Sequence, residues 1–393
     1  MISRVTGEAR DASRVRHALQ DAPGPVAGER VLVAMSGGVD SSVAAALLVE
    51  AGCEVIGVTM KLHNDGSDIV DRPCCSLDST SDARRVCETL GIPHYVTNLV
   101  DHFSQDVLHD FVAEYARGRT PIPCVRCNTF TKFRDLLHKA DAIDARWLAT
   151  GHYARMGVVH GARVMRRGLD PAKDQSYFLW GIDRSVLDRL VLPIGSQTKA
   201  ETRAIARRFG LRTAEKLESQ DICFVPDGDH VRVLREQLGD DAPSLSPGPL
   251  RLTTGEVIGE HQGFARYTIG QRRGLPGGFA EPMFVVEIVP AERAVVIGPR
   301  EALLGRGVEA HAVTWLTDPP MVGVQVQVQV RNRAQPAAAT VVRIDDRVIE
   351  LALDEPVAAI SPGQSLVMYD GDVVLGGGVI ERGRRELRVL AAN

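Results

Sequence analysis

Two sets of residues in this chain have the types and spacing for covalent chemistry. The first is Ser36-Gly37-Gly38-Val39-Asp40-Ser41-Ser42, set between an apolar, β-branched run at 31–35 and an apolar stretch at 43–51. That context predicts a strand, a tight loop and a helix. The glycines let backbone approach an anion, while the hydroxyls and the helix N-terminus supply donors. No Gly-Lys-Ser/Thr follows, so this is not the Walker loop. An ordinary Gly-rich turn would account for two glycines, but poorly for the whole heptapeptide. The second set is Cys124-x-x-Cys127 and, far along the chain, Cys223. The thiolate is the reactive form of cysteine and is favoured near positive charge or a helix N-terminus. Cys127 is expected just before a helix around Phe130, beside Arg126 and Lys132.

The elements that would position these residues follow from periodicity. A second strand is expected at 54–60, a polar loop at 64–80, a helix at 81–90 and a strand at 94–96. Helices are expected at 103–117 and 130–140, and a strand at 147–150 that stops at Gly151-His152. Strands alternating with helices imply an α/β fold with a parallel sheet covered on both faces. Beyond about Leu217, Gly and Pro punctuation becomes dense and helical periodicity nearly vanishes. Short strands are expected at 308–313, 323–330, 338–344, 348–353 and 365–369, with Gln/Val alternation marking the second of them. The resulting division is an extension at 1–28 expected to be disordered, a nucleotide domain at 29–216, a small β-rich domain at 217–303 and a C-terminal β-barrel at 304–393.

A length of 393 residues calls for two or three domains. No apolar run approaches the roughly 18 residues of a membrane helix, and the N-terminus has no secretory h-region; the expected location is the cytoplasm, with no membrane partner. In that reducing compartment seven cysteines point to core packing, metal or redox chemistry rather than a disulfide framework. Cys53 and Cys87 lie in apolar or helical runs and read as structural; Cys74-Cys75 fall in the polar loop. The net charge of −4 carries no global basic signature, so any nucleic acid must be held by local patches.

The heptapeptide resembles the PP-loop of the N-type ATP pyrophosphatases, which grip pyrophosphate and cleave ATP to AMP. That likeness implies ATP and Mg2+, with Gly37, Gly38, Asp40, Ser41 and Ser42 holding pyrophosphate and metal, flanked by Ala34, Met35, Ser36 and Val39. Met60 would touch adenine through its backbone, and Gly151 would border the nucleotide at a strand's C-terminal end. Three further motifs narrow the resemblance. They are Arg119-Thr-Pro-Ile-Pro-Cys-Val-Arg-Cys-Asn128, Lys173-Asp-Gln-Ser-Tyr-Phe-Leu179 and Glu218-Ser-Gln-Asp-Ile-Cys-Phe-Val225. Together with Tyr267-Thr-Ile-Gly-Gln-Arg-Arg-Gly-Leu275, and in this order, they resemble the bacterial tRNA-specific 2-thiouridylases from about Arg30 onward.

The resemblance implies 2-thiolation of the tRNA wobble uridine, U34: the C2 oxygen is adenylylated, then replaced by sulfur. Cys127 would be the nucleophile and Cys223 the persulfide carrier, ending in a disulfide. It also implies tRNA acceptors for Lys, Glu and Gln, and a sulfur donor such as a cysteine desulfurase or relay protein. Contacts to tRNA would come from Lys173, Asp174, Gln175, Arg331 and Asn332, with Arg272 and Arg273 adding charge. The target uridine would be flipped from its stack. One departure stands out: Cys124 occupies a position where much of the family has an aspartate facing the target base. With Cys127 and Cys223 it could instead ligate a [4Fe–4S] cluster; both sulfur schemes stay open. A zinc site lacks a clear fourth ligand. A PP-loop synthetase or amidotransferase acting on a small molecule is the competing enzyme reading, but it predicts neither the cysteine pair nor the barrel. A tRNA chaperone with a dead loop conflicts with the intact Asp40 and serines.

Overall fold

The computed structural model describes residues 22–62, 77–216 and 222–385. They form two compact units, each assembled from separated stretches of chain. The first takes residues up to Leu99, Phe133–Ser176 and Ser185–Ser219; the second takes Val100–Lys132, Tyr177–Arg184 and the chain from Gln220 onward.

The first unit is built on a five-stranded sheet, in the order His94–Asn98, Glu54–Lys61, Arg30–Ala34, Trp147–Ala149, Leu190–Val191. Every neighbouring pair is parallel. Val31, Leu32 and Val33 are buried at its centre, as expected of a strand covered on both faces. Helix Val39–Glu50 is buried nearly all round, and its small Ala44-Ala45-Ala46 run lets it lie close to its neighbours. Helix Leu77–Leu90 starts four residues before the expected position, and a hairpin of Ala154–Val159 with Ala162–Arg167 appears where none was expected. Residues 22–28, expected to be disordered, include a turn whose Gly28 N donates to Gly52 O. The rest of that extension, Cys74, Cys75 and Glu218 to Asp221 lie outside the described residues.

The second unit holds the helical segments Val100–Phe103, Ser104–Leu108 and His109–Ala116, the middle one π-helical. A four-stranded sheet follows, in the order Phe284–Val289, Ala294–Gly298, Gly248–Leu252, Val257–His261. Helix His230–Leu238 stands before it, capped by the Asp229 carboxylate, in a region whose sequence showed little helical periodicity.

The C-terminal strands form a closed antiparallel barrel in the order Leu304–Trp315, Val348–Ala358, Ala337–Asp345, Gln325–Gln329, Ser365–Asp370, Val373–Arg384. The last strand pairs back onto the first. Its sequence, with Gly376-Gly377-Gly378 at the centre, does not read as a strand. The glycines are there because a Cβ on Gly377 would lie 2.6 Å from the Trp180 ring, and one on Gly376 would lie 2.3 Å from Thr314 O. Among the described residues no helix is long and apolar enough to cross a membrane.

Candidate functional site

Ala34 ends the central strand and Met35, fully buried, donates its N–H to Val58 O. Thr59 Oγ1 donates to Met35 O at 3.0 Å, so the chain is fixed just before it turns. The turn requires glycine: Gly37 has φ +69°, and a Cβ there would lie 2.1 Å from Ser79 O. Gly38 is the N-cap of Val39–Glu50 and has no side chain to occupy the helix N-terminus. That leaves a helix end whose dipole and N–H groups suit an anion. The hydroxyls brace the loop itself. Ser41 Oγ accepts from Ser36 N at 3.2 Å, and Ser42 Oγ donates to Gly38 O at 2.7 Å. Gly151 abuts the helix start, since a Cβ on it would sit 2.5 Å from Ser41 N. Met60 is buried near the C-terminal end of its strand.

Sequence reasoning missed two lysines that converge on this loop. Lys199 Nζ lies 2.7 Å from Asp40 Oδ1, with both side chains largely shielded from solvent. Tyr153 Oη donates to the same carboxylate oxygen at 3.0 Å, and the Lys199 ammonium lies 5.5 Å from the Tyr153 ring centre. Lys216 Nζ donates to Gly37 O at 3.2 Å and pairs with Asp82 Oδ2 at 2.8 Å. A signal for Lys199 did exist. It is the first residue of helix Lys199–Arg208, opened by a capping box between Thr198 and Glu201. A lysine there opposes the helix dipole, which marks it as placed for something other than helix stability.

The thiols belong to the second unit. Cys124 is exposed in the first turn of Pro123–Arg126, with Pro123 at the start. Cys127, expected just before a helix, instead opens the π-helical stretch Cys127–Phe133 and is buried; the helical run starts at Pro123, seven residues before the expected position, and proline suits its first turn. Inserted π-helical turns of this kind recur at functional sites. Arg126 donates to Asp106 O at 2.8 Å and pairs with Asp110 at 3.3 Å. Cys223 is half-buried, and the next residue, Phe224, packs edge-on against Phe103 and Phe111 at 5.7 and 4.9 Å. The neighbours of both cysteines are therefore anchored on the same helical stretch, residues 100–116. On the Cys127 segment, buried Asn128 Oδ1 and Thr131 Oγ1 have no hydrogen-bond partner.

Cys53 and Cys87 behave as structural thiols. Burial, then the nearby Glu88 charge, pushes Cys87 up to about 11. Burial and then Glu29 raise Cys53. The trio Cys124, Cys127 and Cys223 does not fit a cluster site in this structure: among the described residues no three His, Cys, Asp or Glu side chains are gathered to hold a metal ion.

Of the residues expected to contact tRNA, several are engaged inside the protein. Asp174 Oδ1 accepts from Gly168 N and Ser176 N, and its Oδ2 from Ser176 Oγ and Arg167. Gln175 Oε1 accepts from Tyr153 N, and Gln175 N donates to Tyr153 O. Arg331 lies beyond strand Gln325–Gln329, where its guanidinium bonds Ser361 Oγ at 2.7 Å and Ile269 O. Burial lowers its pKa. These three side chains build the scaffold. Lys173 is half-buried, and Asn332, Arg272 and Arg273 are exposed.

Family models match almost the whole described chain. The tRNA methyl transferase HUP domain matches residues 29–227, the tRNA methyl transferase PRC-barrel domain 238–299, and the aminomethyltransferase beta-barrel domain 306–380. The tRNA-specific 2-thiouridylase MnmA of Geotalea uraniireducens is 46% identical, over 90% of this chain and 95% of that protein. The protein of the same name from Zymomonas mobilis is 45% identical, over 91% and 94%. The one from Geobacter metallireducens is 46% identical, over 92% and 99%.

Proposed function

This chain belongs to the tRNA-specific 2-thiouridylase family, and on that premise we propose a division of labour between its nucleotide loop and its thiols in the ATP-dependent 2-thiolation of the tRNA wobble uridine. The observation that carries the nucleotide half is the convergence of Lys199 and Lys216 on a glycine-shaped helix N-terminus. Two cations and open N–H groups suit the triphosphate and the pyrophosphate that leaves it. Asp40 is the carboxylate suited to Mg2+, which commonly binds through one or two carboxylates and substrate phosphates; the metal would neutralise charge on the leaving pyrophosphate. Ala34 to Ser42, Met60 and Gly151 shape this pocket. The uracil C2 oxygen attacks the α-phosphorus, pyrophosphate departs, and C2 becomes bonded to a good leaving group.

Sulfur then arrives on Cys223 as a persulfide from a donor protein such as a cysteine desulfurase or a relay protein. The Cys127 thiolate attacks Cys223 Sγ and the S–S bond of the persulfide breaks. The outer sulfur leaves with the electron pair, adds to C2 and expels AMP, and a Cys127–Cys223 disulfide remains. A thiol reductant resets the enzyme. The shared anchoring of both cysteines' neighbours on residues 100–116 supports this pairing. Buried, unpartnered Asn128 Oδ1 and Thr131 Oγ1 are polar atoms for which a flipped uracil imide is a fitting partner. The acceptors are the Lys, Glu and Gln tRNAs, met in the cytoplasm.

The test is a single turnover without reductant, using ATP, unmodified tRNA and persulfide-loaded enzyme. The wild type forms AMP and 2-thiouridine in equal amounts, at most one per enzyme. Cys127→Ser, a nearly isosteric change, still consumes ATP but forms no 2-thiouridine. Thiolation at the wild-type level by that variant overturns the role of Cys127.

A further inference from the structure

Asp174, Gln175 and Arg331 are engaged in hydrogen bonds of the protein itself, which leaves Lys173 and Asn332 of the expected tRNA contacts and room for further phosphate contacts elsewhere. The second unit contains a groove of about 530 Å³ walled by two Arg-Gly-Arg segments that lie far apart in sequence. One is Arg117-Gly118-Arg119, just past helix His109–Ala116; the other is Arg382-Gly383-Arg384, running into Arg385 at the end of the barrel's last strand. Each glycine is there for packing. A Cβ on Gly118 would press on Ile288 and Pro290 at 2.8 Å, and one on Gly383 on Ile360 at 2.9 Å. The chain therefore lies flat against the groove at both places.

The charges are layered. Glu114, Glu309 and Glu350 sit beneath, with side chains 13%, 18% and 9% exposed. They hold Arg119 at 2.7 Å and Arg384 at 2.5 and 2.8 Å. Arg117 and Arg382 reach outward, with side chains 71% and 59% exposed. Five arginines and two glutamates, Glu287 and Glu381, line the groove, and the three glutamates beneath bring the acidic count to five. Arg382 pairs with Glu309 at 2.8 Å and Arg117 with Glu114 at 3.4 Å, but on exposed arginine side chains, where such pairs are weak and a polyanion can compete for the guanidinium groups, and Arg385 is exposed beside them.

We propose that this groove is a phosphate track for tRNA, in which Arg117, Arg382 and Arg385 pair with the backbone of the bound substrate. The inference rests on the thiolation reading for the identity of the RNA. It concerns affinity and register, since phosphate contacts position a nucleic acid without reading its sequence.

The experiment measures filter binding of unmodified tRNA to the full chain across a salt series. It compares the wild type with the triple variant Arg117→Ala/Arg382→Ala/Arg385→Ala and with the triple Arg→Lys variant at the same positions. The alanine variant is expected to bind at least about tenfold more weakly, with a log–log salt slope shallower by about 2. The lysine variant should recover the slope, which a folding defect would not. Unchanged affinity and slope in the alanine variant overturn the proposal. So does intact tRNA binding with weakened binding of a persulfide-donor protein, which would make the groove a protein dock. Failure of the wild type to form any 2-thiouridine would overturn the thiolation reading and leave the binding result standing.

Discussion

The nucleotide loop and the thiol segment are both helical starts that carry reactive residues, and they are built in opposite ways. Around the loop the polar side chains and a turn carbonyl have partners within the first unit, Asp40 with Lys199 and Tyr153, Gly37 O with Lys216, Ser42 with Gly38, while the uncapped helix N-terminus faces the ligand site. Around the thiols, buried polar atoms are left over on Asn128 and Thr131, and helical geometry gives way to π-helical turns. The first arrangement is preorganised to meet a small, highly charged ligand of fixed shape. The second leaves unmet hydrogen-bonding capacity, which costs stability unless a substrate completes it.

The largest expected effect tests the preorganised side. Lys199→Met keeps the length of the side chain and removes the cation that faces Asp40. AMP formation in the presence of tRNA should fall by about 100-fold or more, in line with the loss of one preorganised group that stabilises charge. Lys199→Arg should recover only part, because a planar fork cannot occupy the place of an ammonium. AMP formation within about threefold of wild type in Lys199→Met would reduce the ion pair to a structural contact and remove the contrast between the two regions.

The same contrast explains what could be read from the sequence. The loop, its strand and its helix are contiguous, so the Ser36–Ser42 heptapeptide announces its own context. Lys199 and Lys216 reach it from more than a hundred residues away, and no local pattern declares that. The barrel was legible where Gln and Val alternate, but its closing strand was hidden by Gly376 to Gly378, whose role is to admit Trp180 and Thr314. Arg331 sat in a motif but is engaged by Ser361 and Ile269. A sequence shows that an arginine is present; only packing shows which way its charge faces.

A smaller effect is expected from Thr198→Ala, which removes the capping box that opens helix Lys199–Arg208. Thr198 Oγ1 accepts from Glu201 N at 3.3 Å, and Glu201 Oε2 accepts from Thr198 N at 2.7 Å. Losing the cap should lower stability by about 1 kcal/mol in denaturant unfolding. It should also raise the KM for ATP severalfold, because the frayed residue is Lys199. A loss of stability with no change in that KM would mean that contacts such as those to Asp40 and Tyr153, and not the cap, hold Lys199 in place.

The smallest expected effect falls on the thiol side, at Cys124. The persulfide scheme needs two sulfur-exchanging cysteines, whereas a cluster would need all three thiolates. Cys124 is exposed in a first helical turn, Cys127 is buried, and no metal-holding trio is gathered among the described residues. Cys124→Asp places a carboxylate near a helix N-terminus, a position that tolerates or favours negative charge. Folding should be unaffected, and 2-thiouridine formation should stay within about threefold of wild type when both proteins are purified and assayed anaerobically. Iron analysis of the two samples gives an independent reading. Activity that depends on iron in the wild type and vanishes with it in Cys124→Asp would mean that a soft thiolate ligand had been lost. The leftover polar atoms of the thiol segment would then belong to a metal centre rather than to a base pocket, and the contrast with the nucleotide loop would have to be rebuilt on that footing.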